Sequence, residues 1–139
     1  MRYEFVIYGS PAPQGSKRHL GNGVMVESCQ RVKPWRESVK WTALQARGTN
    51  APLDGPLRCT MVFTLPKPRS APKRRRTWPD KKPDLSKLVR STEDALTESG
   101  IILDDARIVD FGATRKVFPN EDPDALDAPG AKIVLEAIT

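Results

Sequence analysis

A chain of 139 residues has the length of one domain, and its 38% hydrophobic content is enough for one core rather than two. A net charge of +6, with 29% charged residues, points to a polyanionic partner, nucleic acid or an anionic membrane surface. No apolar run reaches the length of about 18 residues that a spanning helix needs, and the strand-like start MRYEFVIYGSPAP lacks a signal-peptide core.

In chain order, alternation predicts a strand over residues 3–9. A loop or irregular hairpin follows over 10–27, with PAPQGSKR and GNG as turn material. Pro34 suits the first turn of a helix over 34–47, where Trp35, Val39, Ala43 and Ala46 fall near one face. Residues 50–55 break the chain, and 57–65 alternate as a strand with Cys59, Met61 and Phe63 on one side. Leu85, Leu88, Val89, Thr92, Ala95 and Leu96 form an apolar stripe on a second helix. Its other face carries Lys87, Arg90 and Asp94, and Gly100 serves as a left-handed cap. Asp94 reads as solvated or paired with Arg90. Residues 106–118 read as one or two strands around Gly112, 119–130 as an acidic loop and 132–138 as a last strand. The expectation is a single α/β domain over 1–139, with α+β as the alternative: a mixed sheet of about four to five strands with two main helices.

The stretch KPRSAPKRRRTWPDKK, residues 67–82, differs from the rest. It holds eight Lys or Arg and one Asp, a net of +7, so the remainder of the chain carries −1. Rich in proline and without periodicity, it reads as a loop for binding a phosphate backbone, through Lys73, Arg74, Arg75, Arg76, Lys81 and Lys82, or as a solubilising charge run. Trp78 either stacks on a base or anchors the loop on the core. Lys17 and Arg18 offer a second backbone contact or an exposed turn.

With His19 as the sole histidine, catalysis falls to carboxylates. Cys29 and Cys59 lack metal-ligand spacing and read as buried or half-buried thiols of a reducing cytoplasm, where the protein is expected, rather than as a disulfide or zinc site. Asp84 opens the second helix, either as its N-cap or as a metal ligand. Asp104 and Asp105 precede the next strand, either as a polar turn or as ligands that a return strand brings near Asp84. Mg²⁺, or Mn²⁺, takes such oxygen ligands and activates phosphodiester hydrolysis. Glu121, Asp122, Asp124 and Asp127 read as a solvated acidic loop.

Residues 82–110, KPDLSKLVRSTEDALTESGIILDDARIVD, resemble the core of the RusA family of Holliday-junction resolvases. That family has an Asp-x-Asp pair opening a helix, a D-A-L-T-like helix end, a Gly and a later D-D before a strand. Asp84, Asp94 to Thr97, Gly100 and Asp104–Asp105 match these positions, and Arg90 falls where the family often has a Lys or Arg. More loosely, PAPQGSKR and VESCQRVKPWR look like phage-borne members.

The resemblance implies a homodimeric, Mg²⁺-dependent endonuclease that introduces paired nicks into four-way DNA junctions, in a bacterial or phage-infected cell. It carries metal ligation to Asp84 and Asp105, with Asp104 adjacent. On the same helix, Lys87 or Arg90 is placed to stabilise developing charge on the phosphorane. The second Asp of the pair is Ser86 here, a neutral and poorer ligand. A nuclease with reduced or lost activity and a non-catalytic module binding branched DNA both remain open. A basic RNA-binding protein is disfavoured by the lack of RNP aromatics or a KH loop.

Overall fold

The computed structural model describes residues 1–15, 17–19, 25–27 and 30–139, with only the backbone described over 17–19 and 25–27. Cys29 and the side chains of Lys17, Arg18 and His19 therefore lie outside the described residues. In chain order the elements are β1 (Arg2–Tyr8), β2 (Lys17–His19), β3 (Met25–Glu27), α1 (Val32–Arg47), β4 (Leu57–Thr64), α2 (Leu85–Ser99), a 3-10 turn (Asp105–Arg107), β5 (Ile108–Asp110), β6 (Arg115–Val117) and β7 (Gly130–Ala137).

One mixed sheet runs β1-β7-β4-β5, with β6 also pairing β4. β7 is antiparallel to both β1 and β4, whereas β5 and β6 are parallel to β4. A parallel return requires a crossover, and α2 supplies it. β2 and β3 form a separate antiparallel pair, the irregular hairpin expected between β1 and α1. The segment over 106–118 resolves into the 3-10 turn and two short strands on either side of Gly112.

Alternation on the long strands decides which face is covered. Cys59, Met61 and Phe63 of β4 and Ala131, Ile133 and Leu135 of β7 are fully buried. They share one core with Trp35, Val39 and Ala43 of α1 and with Leu88, Ala95 and Leu96 of α2. The opposite face carries Arg2, Glu4, Lys132 and Glu136 and is wet except at the end of β4, where Val62 and Thr64 are buried and the Leu126 N–H donates to the Thr64 hydroxyl; the domain has two main layers. Burial pushes the Cys59 thiol up to about 12, so it stays protonated and unreactive. Among the described residues, no helix is long and apolar enough to cross a membrane.

Two buried polar contacts fix the layer of helices. Trp35 Nε1 donates to Thr92 Oγ1 at 3.1 Å, joining α1 to α2. The Ser91 hydroxyl donates to the Ala12 carbonyl at 2.6 Å, laying the segment after β1 along α2. At the far end of α2, Gly100 takes φ 78° as the left-handed cap, and the Arg47 guanidinium fills the space where a Cβ would stand.

Candidate metal centre and nucleic-acid interface

The polar face of α2 carries most of the candidate chemistry. Asp84 occupies the N-cap position with extended backbone, yet its side chain makes no capping bond. Its carboxylate instead stands 3.6 Å from Lys87 Nζ. Ser86 is exposed in the first turn. Asp84 precedes Asp94 by ten residues, about 15 Å along the helix axis.

The return from α2 toward β5 brings three carboxylates together. Glu93, Asp94 and Asp105 each offer an oxygen, and these atoms lie within 4.8 Å of one another. Asp105 is thus placed against the second half of α2, and the cluster does not include Asp84. Burial, then the charges of Asp105 and Asp94, push the Glu93 carboxyl up to about 7, against a lowering pull from Arg90. Asp105 is likewise raised, by burial and then by its hydrogen bond and charge contact with Asp104. Asp104 moves the opposite way, chiefly because the Ala106 amide donates to it at 2.9 Å. Asp104 therefore caps the 3-10 turn, the polar-turn role, and leaves Asp105 to face α2.

Hard oxygen donors, crowded enough to resist carrying all their charge, suit a divalent cation. The donor set fits Mg²⁺ or Mn²⁺ on chemistry: carboxylates only, without His or Cys.

The segment after β1 supports this cluster. The Gln14 side-chain amide donates to Asp94 in a short bond, and its carbonyl oxygen accepts from Arg36 at 3.1 Å. Asp94 is therefore held by Gln14, rather than being solvated or paired with Arg90. The Gln14 backbone N–H donates to the Lys87 carbonyl at 3.0 Å, which fixes the loop along the helix. Gly15, at φ 108°, lets the Arg90 guanidinium approach so closely that a Cβ there would stand 3.0 Å from it.

Sequence reasoning missed both Glu93 and Gln14. Glu93 sat inside the motif beside Asp94, and Gln14 sat in PAPQGSKR as apparent turn material. A Gln between two turn-forming pairs was the available signal.

The loop over 67–82 has no regular element, as expected, but it is clamped by acidic residues. Asp122 takes Arg76 at 2.7 Å and chelates Arg115 through both oxygens, at 2.7 and 3.0 Å. Glu121 takes Lys67 and accepts the Thr77 N–H at 2.9 Å. Asp124 binds Arg115 and Lys132. The reading of Glu121 and Asp122 as part of a solvated loop is therefore corrected. The local positive charge is strong enough to draw them in, and the Asp122 side chain is only 3% exposed. Its carboxyl is held far below the usual range, first by Arg115. Asp124 keeps 41% of its side chain exposed while paired, and Asp127 stays on the surface, where it accepts from the Tyr8 hydroxyl.

Two of the eight loop cations are thus engaged by carboxylates. Lys73, Arg74, Arg75, Lys81 and Lys82 are exposed and, among the described residues, form no ion pair with an acid. Lys116 of β6 donates to the Lys81 and Pro83 carbonyls at 3.0 and 2.9 Å, which pins the end of the loop just ahead of Asp84. Trp78 is not buried as a core anchor; it is 53% exposed, with the Arg76 guanidinium 3.9 Å from its ring centroid.

Among known protein families, the model described as "Endodeoxyribonuclease RusA" matches residues 9–126. A search of curated proteins found no match.

Proposed function

The chain belongs to the RusA family of endodeoxyribonucleases, and from that premise we propose that it resolves four-way DNA junctions by paired, metal-dependent nicks. Asp105 carries the reading, because it is the one residue of the carboxylate cluster that the resemblance also implies as a ligand. Glu93, Asp94 and Asp105 would hold Mg²⁺ or Mn²⁺; Asp84, with Ser86, is the further ligand set implied by the resemblance. When bound, the cation supplies Lewis acidity toward a phosphodiester oxygen and a water of lowered pKa.

The chain's own groups do the rest. Gln14 orients the Asp94 carboxylate. Arg90 lies one helical turn before Asp94, where its guanidinium offsets negative charge at the cluster and on a scissile phosphate. The exposed cations Lys73, Arg74 and Arg75, together with Lys17, Arg18, Lys81 and Lys82, bind backbone phosphates outside the cutting point. A four-way junction has near two-fold symmetry, so a closed homodimer would present two such sites for matched cuts.

The test is single-turnover cleavage of a labelled mobile junction with Mg²⁺ titrated, alongside sedimentation with and without the junction. Symmetric nicks that vanish in Asp105→Asn, from a dimeric protein, are expected. Tight junction binding without cleavage at any Mg²⁺ or Mn²⁺ concentration would instead favour a branched-DNA-binding protein, the reading that Ser86 supports.

A further inference from the structure

Beneath the basic loop lies a groove of about 720 Å³, away from the carboxylate cluster. Its volume falls in the range of about 300–1,000 Å³ typical of small-ligand sites. Trp78, Phe118 and several prolines wall it, and Arg31, Lys81 and Lys82 also line it.

Three features set Trp78 apart from an ordinary surface aromatic. Its ring is half exposed, while the guanidinium of Arg76 covers it at 3.9 Å. Arg76 is itself held by the buried carboxylate of Asp122, which is locked in turn by Arg115. On either side the backbone is tied, Thr77 N–H to Glu121 and Asp80 N–H to the Trp78 carbonyl, each at 2.9 Å. A large ring held half exposed on a fixed loop has already lost the freedom that binding would otherwise cost. Beside it, Thr77 also lines the groove, and its buried hydroxyl has no hydrogen-bond partner among the described residues.

The groove therefore offers a flat aromatic face, apolar walls and cations to one ligand. A nucleotide is complementary to all three: a planar base for the ring and a phosphate for the lysines. A base paired within a duplex keeps its faces stacked on its neighbours, so only an unpaired base can present one to Trp78. We infer that this groove captures a single unpaired base of branched DNA on Trp78, a subsite separate from the carboxylate cluster. The inference rests on the endonuclease reading above, which supplies DNA as the polymer, and the base it takes is one released from pairing where the arms exchange.

Equilibrium binding of the full chain, without divalent metal, tests it on three short labelled duplexes. One is fully paired, one carries a single extrahelical thymine, and one carries an abasic residue at the same bulge. The thymine bulge is expected to bind about tenfold tighter than the abasic bulge. Trp78→Ala should bring that ratio close to one, and Trp78→Phe should keep most of it. Trp41→Ala, which changes an exposed ring on α1 outside the groove, should leave it alone. A wild-type ratio near one, or an undiminished ratio in Trp78→Ala, overturns the inference. If the wild type nicks four-way junctions yet ignores the unpaired thymine, only this subsite falls. If it neither binds nor nicks junctions, the endonuclease reading falls with it.

Discussion

Replacing Asp122 by Asn should unlock the basic loop and destabilise the fold together. Asp122 Oδ1 accepts from Arg115 at 2.7 Å and from the Asp124 N–H at 2.9 Å; Oδ2 accepts from Arg76 at 2.7 Å and from Arg115 Nε at 3.0 Å. An Asn can keep one oxygen in place, but its NH₂ then faces two donors. Two charge-assisted bonds are lost, each worth about 1.5–3 kcal/mol when formed. Arg76 and Arg115 are 40% and 24% exposed, so water recovers part of that loss. The expected cost is about 3 kcal/mol, a fall in Tm of roughly 10 °C for a domain of this length.

The effect should depend on pH in one direction. Because the folded-state carboxyl is held well below its ordinary value, its contribution is complete above the unfolded pKa of about 3.9 and drains away as pH falls toward the folded value. The gap between wild type and Asp122→Asn should stay level from neutral pH to about pH 5 and narrow below about pH 4. Thermal unfolding followed by circular dichroism across that range measures it. A Tm change under about 2 °C at neutral pH would show that the clamp contributes almost nothing. A gap that widened on acidification would refute the linkage argument.

The remaining predictions concern the two halves of the site. Neutralising Lys73, Arg74 and Arg75 together should weaken binding to any DNA and flatten the log K against log salt slope by up to about 2.7. Arg76, counted with them on sequence grounds, is already engaged by Asp122 and should add little to the slope. An unchanged slope in the triple variant would reduce the loop to solubilising charge. Gln14→Ala should lower metal-dependent cleavage about 10- to 100-fold while sparing junction affinity, since it removes the partner that orients Asp94. A parallel loss of affinity would mean that Gln14 supports the fold or the DNA instead. Ser86→Asp should raise Mg²⁺-dependent cleavage by at least about tenfold, and Asp84→Asn in that background should abolish the gain. Equal rates with Ser and Asp at position 86 would leave Glu93, Asp94 and Asp105 as the whole metal centre.

Much of the architecture was legible in the sequence because it rests on local physics. Period-two alternation marked β1 and β4, the apolar stripe from Leu85 to Leu96 marked α2, and Gly100 marked its end, since only a residue without Cβ turns there cheaply. Charge counting located the basic loop, and the motif over residues 82–110 pointed to the family. Contacts between segments distant in the chain were not legible, because no local preference encodes them. Glu93 entered the acidic cluster only when the crossover through α2 returned Asp105 beside it. Gln14 reached Asp94 across eighty positions of sequence because the segment after β1 lies along α2. Composition alone read the acidic run after Pro119 as a solvated loop. Only the fold brought Glu121 and Asp122 against Lys67 and Arg76, where attraction between opposite charges at close range draws carboxylates out of solvent.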